Sequence, residues 1–424
     1  MTRYLWTGIW VMLFAVAAQA DSGTSLGMGE CYSALARGVD ALYWNPANLA
    51  LKDGKNHGSL TLFSITAGLG NNSLNQSLYN EYFTDENKIL SAEDVDRLLD
   101  NISDDGLKLE SLTDVSLFSF AFGNFAFGFA TTGVSESMVP KQMLELPLRG
   151  VSQQSYVFQP TGMAEAAGKI HLAYGHTLAR YKTLYVFNRP VLDIDDIAVG
   201  VRVSYLFGLA SFRTESATVN TYITNAGVGA QGSYSGVGSY PGGGRVPGSG
   251  LGLDLGFSVT TPRHYTFSIV LRNLYHRINW RNNTRAWTGE LNTGAPRFIF
   301  GDNAISDLDG DEIFTDEELL NQEYATSRPT DVRIGLGWTG RHGMYALETG
   351  SRDQRFMAAL GGGISRAIVH LYGGLRWCDG TYFHGGLGLG GDALMVDVGL
   401  ASRGGLTANA SKGVIFAGSL RVGW

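Results

Sequence analysis

The residues whose spacing speaks most directly of chemistry run from Asp307 to Glu318. Asp307, Asp309, Asp311, Thr315 and Glu318 fall at positions 1, 3, 5, 9 and 12 of a loop, where hard oxygen ligands wrap Ca²⁺. Glu312 stands at position 6, where such a loop has a Gly for its sharp turn, and Ile313 sits one place early. Loss of that Gly would make Glu317, not Glu318, the last ligand. The chemistry on offer is a structural Ca²⁺ that orders the loop. The plain alternative is an acidic, solvated loop.

A second set of charges is scattered: Lys169, His171, Arg202, Asp254, Arg272, Arg333, Glu348, His370, Arg376, Asp397 and Arg421. Each sits within an apolar alternation, on the face opposite the large apolar side chains. Mixed signs facing one another across an enclosed space imply internal ion pairs, whereas an ion filter needs a ring of one sign. The other reading has some of these arginines receiving a carboxylate headgroup. No nucleophile motif surrounds His171 or His370. There is no CxxC, HExxH or phosphate-binding loop, so no cofactor beyond Ca²⁺ is expected.

These charges are placed by strands. The last segment, Val414 to Trp424, shows the pattern most cleanly. Val414, Phe416, Leu420, Val422 and Trp424 share one face, while Ala417, Ser419, Arg421 and Gly423 share the other. An apolar face outside and a polar or tiny face inside fits a barrel in lipid. The terminal aromatic resembles the signal read by the outer-membrane assembly machinery, which places the chain in the bacterial outer membrane.

The same period of two recurs. Leu251, Leu253, Leu255, Phe257 and Val259 oppose Gly252, Asp254, Gly256 and Ser258, and Leu394, Val396, Val398 and Leu400 oppose Met395, Asp397 and Gly399. Strands are predicted near 58–70, 113–122, 124–135, 166–177, 196–212, 250–260, 264–274, 331–339, 343–350, 355–363, 367–377, 381–390, 393–401 and 413–424, about fourteen in all. The predicted fold is all-β, a transmembrane antiparallel barrel with short helices in its outer loops. Counting back from Trp424, every second link is short: Gly391-Asp392, Ser365-Arg366, Arg341-His342, Pro262-Arg263 and Gly123-Asn124. Short periplasmic turns and longer outer loops are the habit of outer-membrane barrels. Two outer links, near Ser351 and Cys378, are short as well, and one periplasmic link, Leu178 to Asp196, is long. In the outer loops, Ser91-Ala92-Glu93-Asp94 followed by Val95, Leu98, Leu99 and Ile102 predicts a capped amphipathic helix. The Gly-rich run from Gly227 to Gly250 predicts a flexible surface loop, and Thr214–Tyr234 an extra hairpin above the membrane.

The chain's start agrees. Arg3, the apolar run Leu5 to Ala18 and Ala18-Gln19-Ala20 mark residues 1–20 as a secretory signal peptide. No later stretch approaches the ~20 apolar residues of a spanning helix. The 424 residues carry 57 Gly and a net charge of −7, which gives no reason to expect nucleic acid as a partner. Cys31 and Cys378 are read as two free thiols, although an oxidising compartment would allow them to pair.

Residues 21–56 do not alternate. Tyr32, Leu35, Ala36 and Val39 suit a short helix that Gly38 would end. Asn45-Pro46-Ala47 suits a helix start, with Asn as cap and Pro first. Gly27-Met28-Gly29, Ala34-Leu35-Ala36 and the run from Ala41 to Leu49, which includes Leu42, Tyr43 and Trp44, resemble the N-terminal hatch of the FadL-like outer-membrane barrels. That superfamily includes transporters of fatty acids and aromatic hydrocarbons as well as PorV-type secretion proteins. The resemblance implies a hatch over 21–56 inside a barrel over 57–424, with Asn45-Pro46-Ala47 as its core. The other reading of the segment is an ordinary periplasmic arm.

Three functions follow as expectations. The first is passive transport of hydrophobic small molecules such as fatty acids, through an apolar pocket bounded by Leu42, Tyr43 and Trp44. The second is a PorV-like component that binds secretion or surface proteins through its outer loops. The third is a barrel hydrolase, which no motif supports. In every case outer-membrane lipid surrounds the chain.

Overall fold

A computed structural model describes residues 22–51, 58–84, 90–149, 156–186, 189–224, 227–242, 244–292, 314–391 and 393–424. The segment expected to be a signal peptide and the first part of the acidic motif lie outside these residues.

Among the described residues nineteen strands follow one another: β1 Gly58–Asn71, β2 Leu107–Phe122, β3 Phe125–Val139, β4 Tyr156–Phe158, β5 Thr161–Val186, β6 Arg189–Thr224, β7 Gly227–Ser239, β8 Gly248–Thr260, β9 Tyr265–Trp280, β10 Thr284–Asn292, β11 Phe314–Leu320, β12 Tyr324–Ser327, β13 Asp331–Thr339, β14 Gly343–Arg352, β15 Arg355–Arg366, β16 Val369–Trp377, β17 Thr381–Gly390, β18 Leu394–Arg403 and β19 Gly413–Gly423. Fourteen of them, all antiparallel, make a closed ring in the order β1-β2-β3-β5-β6-β8-β9-β13-β14-β15-β16-β17-β18-β19, and β19 returns to β1. Closure leaves no unpaired edge in the ring, the condition for crossing lipid with strands. At the seam, Gly58 and Trp424 exchange both backbone hydrogen bonds. No described helix is long and apolar enough to cross a membrane, which says nothing of strands.

The alternation sorts as expected. Leu394, Val396, Val398 and Leu400 of β18 are exposed on the outer face, whereas Asp397 between them is buried inside. Val414, Phe416 and Trp424 point outward, and Ala417 and Ser419 inward. Such an outer apolar band is what lipid contact demands.

Three readings are corrected. The link from Leu178 to Asp196 is a continued hairpin of β5 and β6, paired as far as Val186 and Arg189. Residues 180–185 are exposed on both faces, so the hairpin stands clear of the ring and the alternation fades. Second, the Gly-rich run is not a loop throughout: Gly227–Ser239 is β7, paired with the upper part of β6 and with β10. Glycine suits this ribbon because aromatic rings lie over it. A Cβ on Gly236 would stand 2.8 Å from the Trp287 indole, and one on Gly289 2.4 Å from the Tyr234 ring. With β4, β10 and β11, these strands build a sheet beyond the ring at the end opposite the termini. Third, Gly38 starts a helix where it was expected to end one. It holds φ 56°, and the helix Val39–Trp44 follows.

Helix α1 spans Gly23–Gly27, α2 Val39–Trp44, α3 Gln76–Phe83, α4 Ala92–Asp100 and α5 Lys141–Arg149. Helix α4 is the expected capped helix. Ser91 and Asp94 form the reciprocal capping box, and Val95, Leu98 and Leu99 are buried.

Candidate functional site

Residues 22–51 lie inside the ring and are buried apart from the half-buried Arg37 and Gly38. Helix α1 packs on β16 to β19, α2 on β1, β2, β3 and β5, and the 3₁₀ turn Pro46–Ala50 on β5, β6 and β8. The segment therefore crosses the lumen from one wall to the other. Its eight expected residues, Gly27, Gly29, Leu42, Tyr43, Trp44, Asn45, Pro46 and Ala47, are all buried there.

Bare wall makes the approach possible. A Cβ on Gly200 would stand 2.2 Å from the Pro46 carbonyl carbon, and one on Gly361 2.0 Å from the Met28 carbonyl oxygen. Backbone thus meets backbone, and glycine is the residue that permits it. Short hydroxyls on the same wall then satisfy the segment's polar groups, as burial requires. The Asn45 amide caps the 3₁₀ turn by accepting from Ala47 N at 3.1 Å, and donates to Ser258 Oγ at 2.9 Å. Asn48 Nδ2 donates to the Ser33 and Ala36 carbonyls at 2.9 Å each. The Tyr43 hydroxyl meets Ser116 Oγ at 2.8 Å and also Ser119.

The expected interior charges hold the segment. Arg202 pairs with Asp254 and donates to the Leu42 carbonyl at 2.9 Å. Arg272 donates to the Tyr43 carbonyl at 3.3 Å. The guanidiniums of Arg272 and Arg333 lie 4.9 and 5.3 Å from the Trp44 ring, a double cation–π contact. Arg333 pairs with Glu348 at 3.0 Å, and Glu348 also accepts from Ser33 N at 3.0 Å. Asp397 accepts from Arg421, Ser419 and Thr24. Arg421 in turn reaches Asp40. His171 meets Ser204 at 2.7 Å and His370 meets Ser365 at 2.8 Å.

Sequence reasoning missed the partners from the segment itself. Glu30 takes Arg376 on Oε1 and Arg352 on Oε2. Burial alone would raise its pKa, but the two guanidiniums outweigh burial and hold the carboxyl well below the usual range. The signal was present: Glu30, Arg37 and Asp40 are the only charges between residues 22 and 51. A charge in so apolar a stretch needs a partner.

Beyond the segment, toward the end opposite the termini, lies a cavity of about 560 Å³. Tyr43 borders it, whereas Leu42 and Trp44 are packed away from it. Its walls mix apolar groups (Leu112, Val134, Met163, Tyr382, Ile415) with charges of both signs: cations, among them Lys169, Arg202, Arg272, Arg352 and Arg376, and the carboxylates of Glu110, Asp114, Glu136, Asp331, Asp353 and Asp379. The apolar pocket expected from Leu42, Tyr43 and Trp44 together is thus replaced by an amphipathic one. Helices α4 and α5 pack over this end through Val95, Leu99 and Ile102 against Leu144 and Leu148.

The calcium reading stays an expectation. Asp307, Asp309 and Asp311 lie outside the described residues. Thr315 and Glu318 lie on β11, where Glu318 pairs with Arg285. Both cysteines are free and buried.

A family model matches residues 46–363, three quarters of the chain. The chain belongs to the DUF5723 family, a family of unknown function. No curated protein matches this DUF5723 chain. Among solved structures, the toluene transporter TodX of P. putida matches with a TM-score of 0.52 at 11% identity, over 95% of this chain and 98% of that one. A FadL homologue of Pseudomonas aeruginosa matches with a TM-score of 0.47 at 10% identity, over 96% and 99%. At such identity the TodX likeness is one of fold alone.

Proposed function

We propose that this chain is a passive outer-membrane channel for hydrophobic small molecules with a charged end, fatty acids being the model cargo. The observation that carries this reading is the segment 22–51, seated across the lumen beneath an amphipathic cavity. Cargo enters the cavity past α4 and α5, places its apolar part on Leu112, Val134, Met163 and Ile415, and its charged end near the cations. Passage follows when the segment shifts along its smooth glycine and serine bed. The fold of the TodX transporter supports a transport role, and the lipid-facing band supports the outer membrane.

The test is uptake of labelled decanoate by host cells that lack their own fatty acid channel. Cells making the full chain are expected to take it up faster than cells with an empty vector. A chain lacking residues 22–51 is expected to admit decanoate and to sensitise cells to bulky antibiotics. Uptake equal to the empty vector by both chains would overturn the reading.

A second reading, a PorV-like component that binds secretion or surface proteins, is favoured by the sheet of β4, β6, β7, β10 and β11 beyond the ring. A channel needs no such platform. Co-purification of surface proteins would support it, and binding that survives removal of residues 75–110 would exclude the first outer loop as the docking site.

A further inference from the structure

We propose that Arg352 and Arg376 form a carboxylate-binding site that Glu30 occupies in the closed state, and that a carboxylate ligand takes its place and frees the inner segment. This rests on the reading of the outer cavity as the ligand's entry.

The two guanidiniums belong to the wall, Arg352 at the end of β14 and Arg376 on β16, while Glu30 belongs to the segment. Each carboxylate oxygen of Glu30 takes one guanidinium. Both arginines also line the outer cavity, so the groups that grip the segment are the groups an incoming ligand meets. The Arg352 side chain is a quarter exposed, which gives the ligand a first point of contact before Glu30 has moved.

The local backbone points the same way. Glu30 holds φ 59°, in the left-handed region that residues other than glycine seldom adopt, directly after Gly29 at φ 74°. The turn is thus held with its carboxylate in the arginine pair, and leaving the pair lets the backbone relax. Exchange explains why a carboxylate, and not any small molecule, would act. Pulling Glu30 away alone takes the carboxylate from the buried Arg376 guanidinium and from the quarter-exposed Arg352, a costly state. Replacing one carboxylate by another keeps the charge count of the site constant. The ligand's differential affinity for the open state is then its bond to the arginines, which the closed state denies it.

Cys31 provides the readout. It is fully buried beside Glu30, with Sγ 2.8 Å from the Met28 carbonyl oxygen. The purified full chain in liposomes is treated with a small maleimide, and modification of the peptide carrying Cys31 is followed by mass spectrometry. Octanoate is expected to speed modification about tenfold, within the range of ordinary site-to-site coupling. Octanol, with the same tail and no charge, is expected to leave the rate unchanged. In Glu30→Gln the rate should start high and ignore octanoate. If that variant does not fold, the comparison of octanoate with octanol on the natural chain decides alone. Equal acceleration by both, or by neither, would overturn the proposal. Decanoate uptake measured separately keeps the two ideas apart. A Cys31 response without uptake would remove the channel reading and leave the exchange standing, and uptake without a Cys31 response would do the reverse.

Discussion

Gly200→Ala should unseat the inner segment while leaving the barrel intact. The new Cβ would stand 2.2 Å from the Pro46 carbonyl carbon, 2.3 Å from Ala47 N and 2.5 Å from the Pro46 oxygen. Ordinary contact begins at 3.4 Å, so the turn must retreat by about 3.4 − 2.2 = 1.2 Å. All three atoms are backbone, and no side chain can rotate out of the way. Overpacking of this kind costs about 1–3 kcal/mol. A retreat of that size also breaks the Asn45 and Asn48 bonds to Ser258, each worth about 0.5–1.5 kcal/mol net. Together they come to roughly 2–6 kcal/mol, or at least a thirtyfold rise in the unseated population, since about 1.4 kcal/mol is tenfold. The strand itself loses nothing, because Gly200 pairs with Gly175 and Gly256 through backbone alone. The assay is open probability in a planar bilayer, with Gly373→Ala as control. Gly373 has no atom within 4 Å of the corresponding position. Gly200→Ala is expected to conduct far more often than the control while unfolding at a similar temperature. Indistinguishable conductance of the two variants would refute the reasoning.

Asp397→Ala removes the acceptor shared by Arg421, Ser419 and Thr24, leaves a buried charge short of a partner, and should cost about 3–5 kcal/mol in urea unfolding from liposomes; a loss under about 1 kcal/mol would contradict the ion-pair account. Ser91→Ala should cost helix α4 about 1 kcal/mol, seen as faster amide exchange over residues 92–100 with no change in conductance. Glu30 has a depressed folded pKa, so its stabilising charge is complete above the ordinary carboxylate value and is lost only as pH falls through the depressed one. Amide exchange at residues 28–31, corrected for intrinsic rates, should therefore show no loss of protection between pH 7 and pH 5.

Much of the barrel was legible because alternation is a local property. Val396, Asp397 and Val398 announce an inside and an outside without reference to any other strand, so the ring and its inward charges could be read directly. The pattern failed where its cause was missing. Residues 180–185 have water on both faces, and nothing selects for alternation. Gly227–Ser239 is too poor in side chains to alternate, and its cover, Trp287, comes from a strand fifty residues on. The candidate site was half legible. Arg376 and Arg421 were placed inside by their own strands. Their partners Glu30 and Asp40 carry no such pattern, and Glu30 lies 346 positions from Arg376.

The seating of α1 has a consequence for how the molecule is made. Its bed is β16 to β19, the described strands furthest from it along the chain, and Gly23 rests against the backbone of Val398. Helix α1 therefore waits for strands that begin at Val369, the kind of long-range closure that slows folding. The β1–β19 seam shuts over it. A chain stalled before β18 has neither a closed wall nor a full bed, and its segment 22–51 stays unseated. Completion of the barrel and docking of its beginning are thus one kinetic event, and slow folding with a late, all-or-none final step should be the mark of this chain.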